Sequence, residues 1–215
     1  TAQKLGTSTY GSTSKVDSHM MKNSEWGAVA YLSHSKYGTN KEIRINNYNN
    51  NGYLTGCGAN TENESQSNTC GIVYGNATNY PQSTTGNITG AYDMSGGAME
   101  YVMGYYSGAS TTWGATSSSN YAGFSSKPAS KYFDDYTTTN PLTACNGGIC
   151  YGHGLSEVNK WYGDYATFVI AKYPWFRRGG GFIEGAGAGA FCFYSDNGNA
   201  YGSNGFRVVL SPIGA

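Results

Sequence analysis

The chain has 215 residues, long enough for one domain with a real core and marginal for two. Its 13 basic and 13 acidic residues cancel, and no basic run supplies the charge that nucleic acid or an anionic membrane demands, so neither is expected as a partner. Only 12% of residues are charged, while Gly (32) and Tyr (20) abound, the composition of a loop-rich, secreted or surface-displayed β-type domain. No apolar run approaches a membrane span, so direct membrane insertion is not expected. Thr1 opens no signal peptide, and an exported form would have lost its targeting segment.

Residues 1 to 16 are polar, rich in Gly, Ser and Thr, and expected to be irregular. A helix follows: Asn23 or Ser24 can cap it, Glu25 suits its first turn, and Trp26, Val29, Ala30 and Ser33 share one face. Gly38 is expected to end it after Tyr37. Ile43 and Ile45 alternate with charge, which predicts a short strand from Glu42 to Ile45, and an Asn-rich turn comes next. No regular structure is visible from there to Thr89. Asn63-Glu64-Ser65, Asn76-Ala77-Thr78 and Asn87-Ile88-Thr89 match the glycosylation pattern, as chance allows in so Asn-, Ser- and Thr-rich a chain.

Cys57 and Cys70 bracket one polar loop and Cys145 and Cys150 a shorter one, so both pairs read as disulfide staples. Cys192 is left single, and without a CxxC pair no metal site is expected. Residues Gly90 to Gly104 read as a tight turn feeding a strand. Residues 105 to 160 read as a long insertion, self-packed around the Cys145 and Cys150 pair. A mixed segment from Trp161 to Ile170 leads into the terminal stretch.

That stretch, Tyr173 to Leu210, opens on Trp175-Phe176-Arg177-Arg178-Gly179-Gly180 and closes on a strand-like Phe206-Arg207-Val208-Val209-Leu210. Its Gly and Ala content implies a large ordering entropy with little apolar area to offset it, so a scaffold must hold it. A displayed recognition surface and a Gly-rich connection to a last core strand are equally open on composition.

No catalytic constellation emerges, so neither an enzyme nor a cofactor is expected. His19, His34 and His153 are scattered, and Asp134 with Asp135 reads as a solvated face before an acid/base pair. Gly179-Gly180-Gly181 lacks the Lys of a phosphate loop. Trp26 and Glu100 read as a core anchor and a buried hydrogen-bonding group.

Three pieces in order carry a resemblance: Asn23-Ser24-Glu25-Trp26, then Gly90-Ala91-Tyr92-Asp93-Met94-Ser95-Gly96 with Glu100-Tyr101-Val102, then Arg178-Gly179-Gly180 with Gly205-Phe206-Arg207-Val208-Val209. This set resembles the formylglycine-generating-enzyme type of C-type lectin fold. That implies an α+β, loop-rich domain over 1–215, with short antiparallel strands and few helices. The run from His19 to Gly38, the segment from Ser83 to Gly104 and the terminal stretch are also similar to gut-bacterial surface or pilin-like variable proteins diversified by retroelements. Relatives of this fold usually carry strands and a helix before the Glu-Trp helix. The resemblance therefore implies a longer protein, without whose extra strand Phe206 to Leu210 would expose an edge.

The departures bear on function. The oxidase of the superfamily holds copper with two thiolates near the C-terminal motif, and here Cys192 stands alone. Gly97 and Tyr101 replace the usual Asn and Trp, and the calcium-lectin triplets do not occur. Fold kinship alone carries neither activity.

In retroelement families, randomised adenines in Asn-type codons never yield Lys, Glu, Gln, Met or Trp. Of the 28 such residues in the chain, the window from Arg177 to Gly205 holds one, Glu184. The resemblance thus implies outward, ligand-binding roles for Phe182, Ile183, Cys192, Tyr194, Ser195, Asp196, Asn197, Asn199, Tyr201, Ser203 and Asn204, within a diversified segment 173–210. Arg178, Gly179, Gly180, Gly189, Phe191, Phe193, Phe206 and Arg207 would frame them. The expected function is ligand binding outside the cell or at its surface, to a protein or glycan of another cell, a phage or a host. An oligomer or filament is compatible with it. A structural pilus or surface-layer subunit is the rival, and an oxidase relative comes third.

Overall fold

Strand β2, Met99–Tyr106, organises the computed structural model, which describes residues 2, 16–46, 76–108, 127–146 and 150–212, the side chains of 144–146 excepted. Its side chains alternate faces, as a strand's must. Glu100 and Val102 turn toward a buried layer, while Tyr101 and Met103 stay partly accessible. One edge of β2 pairs antiparallel with β4 (Trp175–Arg178), which pairs antiparallel with β5 (Phe193–Asp196).

The other edge is closed in pieces. β6 (Asn204–Phe206) runs parallel along Met99 to Tyr101, and β3 (Asp134–Tyr136) runs parallel along Gly104 to Tyr106. Between them the Met103 N–H donates to the Met21 carbonyl over 2.9 Å. The fold is thus α+β and loop-rich, with short strands and few helices, but two of its pairings are parallel where antiparallel strands were expected.

The terminal strand is paired from within the chain. β7 (Val208–Pro212) lies antiparallel to β1 (Val16–Met20), in register from Val16 opposite Pro212 to Met20 opposite Val208. The edge expected to be left open by a missing strand is therefore covered, and β1 begins where irregular structure was expected to end. Ser18 and His19 are buried in it.

Helix α1, Asn23–Leu32, starts one residue earlier than its expected caps. The Lys22 N–H donates to Glu25 Oε2 at 2.9 Å, and Asp134 accepts from the Ser24 N–H at 2.7 Å, so a carboxylate from β3 satisfies the exposed helix start. The helix stops at Leu32 rather than Tyr37 because the next amides of Ser33, His34 and Ser35 bond three residues back, and Ser33 Oγ takes the Ala30 carbonyl at 2.6 Å. The predicted strand at Glu42–Ile45 is not formed. Ile43 and Ile45 are buried from an irregular segment whose amides bond to loop carbonyls, Arg44 to Pro81 and Asn46 to Ser95, with an isolated bridge from Asn46 to Gly96.

The core lies between α1 and the sheet, where Trp26, Val102, Tyr136, Phe176, Phe191 and Phe193 are buried together. Trp26 Nε1 donates to the Ala190 carbonyl at 2.8 Å, tying the helix to the terminal segment. The span from 105 to 160 contributes β3 and a short helix α2, Pro141–Asn146, so part of it belongs to the scaffold. Cys150 is buried and disulfide-bonded. Cys57, Cys70 and the Cys145 side chain lie outside the described residues. Among the described residues no helix is long and apolar enough to cross a membrane.

Candidate functional site

The sheet's two faces differ in chemistry. Across the register Tyr101, Arg177 and Tyr194 fall in one row, and Trp175 sits opposite Asp196 two pairs along. By strand alternation these side chains share the face away from α1, with Met103 beside them. The other face carries Phe176, Arg178 and Phe193 into the core.

Polar groups on the outer face are held by one another. Arg177 Nη2 pairs with Asp196 Oδ2 at 3.1 Å, and Arg177 Nη1 donates to Asn204 Oδ1 at 3.1 Å. The Tyr101 hydroxyl bonds the Asp196 carboxylate and lies 2.8 Å from the Asn199 carbonyl. Asp196 also accepts from the Gly198 N–H at 2.9 Å. Tyr194 donates to the Glu184 carboxylate, lies under the Arg177 guanidinium, and stacks on Tyr165. Burial and the adjoining carboxylates hold both phenols, Tyr101 and Tyr194, well above the usual tyrosine range.

The expected outward residues divide. Ile183 and Tyr201 are exposed, and Tyr194, Ser195, Asn197, Asn199, Ser203 and Asn204 are partly so. Phe182, Cys192 and Asp196 are buried, which corrects their expected outward placement. Phe182 and Cys192 belong to the turns between β4 and β5, where neighbouring Ala190 and Phe191 pack against Trp26 and Tyr31 of α1. Asp196 does lie on the outer face, closed in by its ion pair and the Tyr101 hydroxyl. In the expected frame Arg178, Phe191 and Phe193 are buried, but Phe206 is 57% exposed.

Two polar anchors hold the segment from below. Arg178 is fully buried against the Trp26 and Phe193 rings and donates to the Gly154 carbonyl at 2.7 Å, and desolvation lowers its pKa to about 10. Asp164 is 2% exposed and accepts from the Phe191 N–H at 3.0 Å. Burial raises its pKa to about 7. The 188–190 backbone approaches so closely that a Cβ at Gly189 would stand 2.0 Å from Asp164 Oδ2, and one at Gly180, where φ is +72°, would stand 2.5 Å from Ala188 Cα. The Cys192 thiol, fully buried, has its pKa pushed well up by burial and by Asp164.

Arg207 joins the motif pieces. Its Nε donates to Glu100 Oε2 at 2.5 Å, its Nη groups reach the carbonyls of Tyr92 (3.2 Å) and Asp93 (3.0 Å), and its guanidinium lies 5.2 Å from the Trp26 ring centroid.

No family model, curated protein or solved structure matches the chain.

Sequence reasoning missed Tyr101, Tyr165, Arg177, Glu184 and Met103 as members of the site. Each joins the site through a contact with another strand or turn, and the motif pieces that hold Tyr101 and Arg177 do not announce that role.

Proposed function

We propose that the protein is a ligand-binding domain on a C-type-lectin-like scaffold, displayed outside the cell and non-enzymatic, with its C-terminal segment as the diversified surface. The observation that carries this reading is the outer sheet face. Tyr101, Arg177 and Tyr194 form a row of partly accessible aromatic and guanidinium groups on a rigid sheet, the residue types that dominate protein recognition. Partly exposed Asn197, Asn199, Ser203 and Asn204 flank them with adaptable hydrogen-bonding groups. The scaffold assignment is supported by the way Trp26, the Tyr92-Asp93 turn, Glu100 and Arg207 meet at one partly buried point. The Cys150 disulfide favours an oxidising compartment. The partner is a protein or glycan on another cell, phage or host surface.

The test is a library randomised at Tyr194, Ser195, Asn197, Asn199 and Tyr201, displayed on phage and sorted first for protease resistance. Most members should stay folded, and panning on unrelated purified proteins should yield binders. A library in which nearly every member is digested would show that these side chains are packing, and would sink the reading.

A further inference from the structure

Beside the Arg177 and Asp196 pair lies a groove of about 180 Å³ whose walls are Met20 from β1, Tyr101 and Met103 from β2, Trp175 from β4 and Phe206 from β6. We infer that this groove is a socket for one uncharged apolar side chain, of leucine, methionine or phenylalanine type, presented by a protein ligand. The inference rests on the ligand-binding reading above and gives that surface its anchor point.

Size limits the occupant. Pockets for drug-sized molecules measure about 300–1,000 Å³, whereas an apolar cavity of about 150 Å³ takes one benzene. The groove is therefore scaled to a single phenyl or branched aliphatic group. Its walls suit that occupant, since two thioethers adapt to different apolar shapes and three aromatic rings supply contact area at little cost in ordering.

Charge limits it further. Arg177 and Asp196 neutralise each other at 3.1 Å, and their remaining bonds go to Asn204, Tyr101 and the Gly198 N–H. A charged ligand group would be desolvated there without a partner. A glycan is disfavoured on the same ground, because these polar groups are engaged within the protein, and the one donor of the pair left over, Arg177 Nε, is buried away from the surface. Phe206, 57% exposed, stands at the mouth of the groove, and a large apolar side chain held in solvent beside an apolar cleft marks an interaction site.

The experiment follows methionine methyl resonances in the wild-type protein, assigned by single Met→Leu variants. N-acetyl-leucinamide and N-acetyl-phenylalaninamide at millimolar concentration should shift the Met20 and Met103 methyls saturably and leave fully buried Met94 unmoved. Methyl α-glucoside and octanoate should shift neither, and Phe206→Ser should weaken the amide response several-fold. No response to either amide, or an equal or larger response to the glucoside or to octanoate, overturns the inference. Because the phage library varies residues outside the groove walls, failure here leaves that test of the broader reading standing.

Discussion

The Tyr165 ring stacks on the Tyr194 ring, with centroids 4.3 Å apart and planes 11° from parallel. The residue next to the buried Asp164 carboxylate therefore supports the aromatic at the β5 end of the outer-face row. The buried anchor and the presented surface are one residue apart.

Asp164 makes stability depend on pH. Its pKa is about 7 in the folded protein against an ordinary 3.8, so the folded state holds the proton more tightly. The resulting stabilisation is complete below about 3.8 and is lost as pH rises through about 7. Glu42 raises this pKa further and Arg178 opposes it. Denaturant midpoints should fall between pH 5 and pH 8, and Asp164→Asn, which keeps an acceptor for the Phe191 N–H, should flatten that slope. An unchanged slope in the variant would assign the effect to other groups.

Breaking the Glu100 and Arg207 pair should destabilise strongly. Burial pushes the Glu100 carboxyl up while Arg207 holds it down, so removing the guanidinium leaves a buried acid without its counter-charge. Arg207→Met should cost on the order of 3 kcal/mol in urea unfolding. Adding Glu100→Gln should recover part of that loss, and a strictly additive double variant would refute the coupling.

Cys192 should be inert while the protein is folded. A fully buried thiol with a raised pKa offers little thiolate to attack an alkylating agent. Peptide mapping after iodoacetamide should find Cys192 unmodified in buffer and modified in guanidinium. The same protein should take up no tight Cu(I) at this residue, and a copper site abolished by Cys192→Ser would reverse that expectation.

Three aromatic substitutions should rank by burial rather than by motif. Phe193→Ala opens a core cavity and should cost about 3–5 kcal/mol, whereas Tyr201→Ser and Phe206→Ser, both at exposed side chains, should stay within about 0.5 kcal/mol each. Thermal unfolding of the three decides it. A Phe206→Ser protein as unstable as Phe193→Ala would restore Phe206 to the core frame.

What the residues disclosed locally, and what they did not, separates by range. The α1 helix was legible because Trp26 and Ala30 recur at helical spacing, and β2 because apolar and polar groups alternate after a glycine turn. β1 was not, since Val16 to Met20 buries a serine and a histidine and has no apolar alternation of its own. The segment at Ile43 and Ile45 alternates convincingly, yet its isoleucines are buried without a neighbouring strand. Motif position placed Phe206 inside and Cys192 outside; the turns between β4 and β5 and the β6 pairing, both fixed by distant contacts, reversed the two. Aromatic residues were expected to recognise ligand, but which ones share a face depended on the register of β4 against β2 and β5.

The divided edge of β2 has a kinetic consequence. Met99 waits for the Ser203 carbonyl, Met103 for Met21 and Gly104 for Asp134, so one strand is finished only when three remote parts of the polypeptide have arrived. During synthesis β2 leaves the ribosome more than 90 residues ahead of the segment that closes its first half. Until then it is an open template for other strands. Loop-closure entropy on this scale favours slow, late, nearly all-or-none folding. A nascent chain arrested before residue 204 should therefore be the species that chaperones hold.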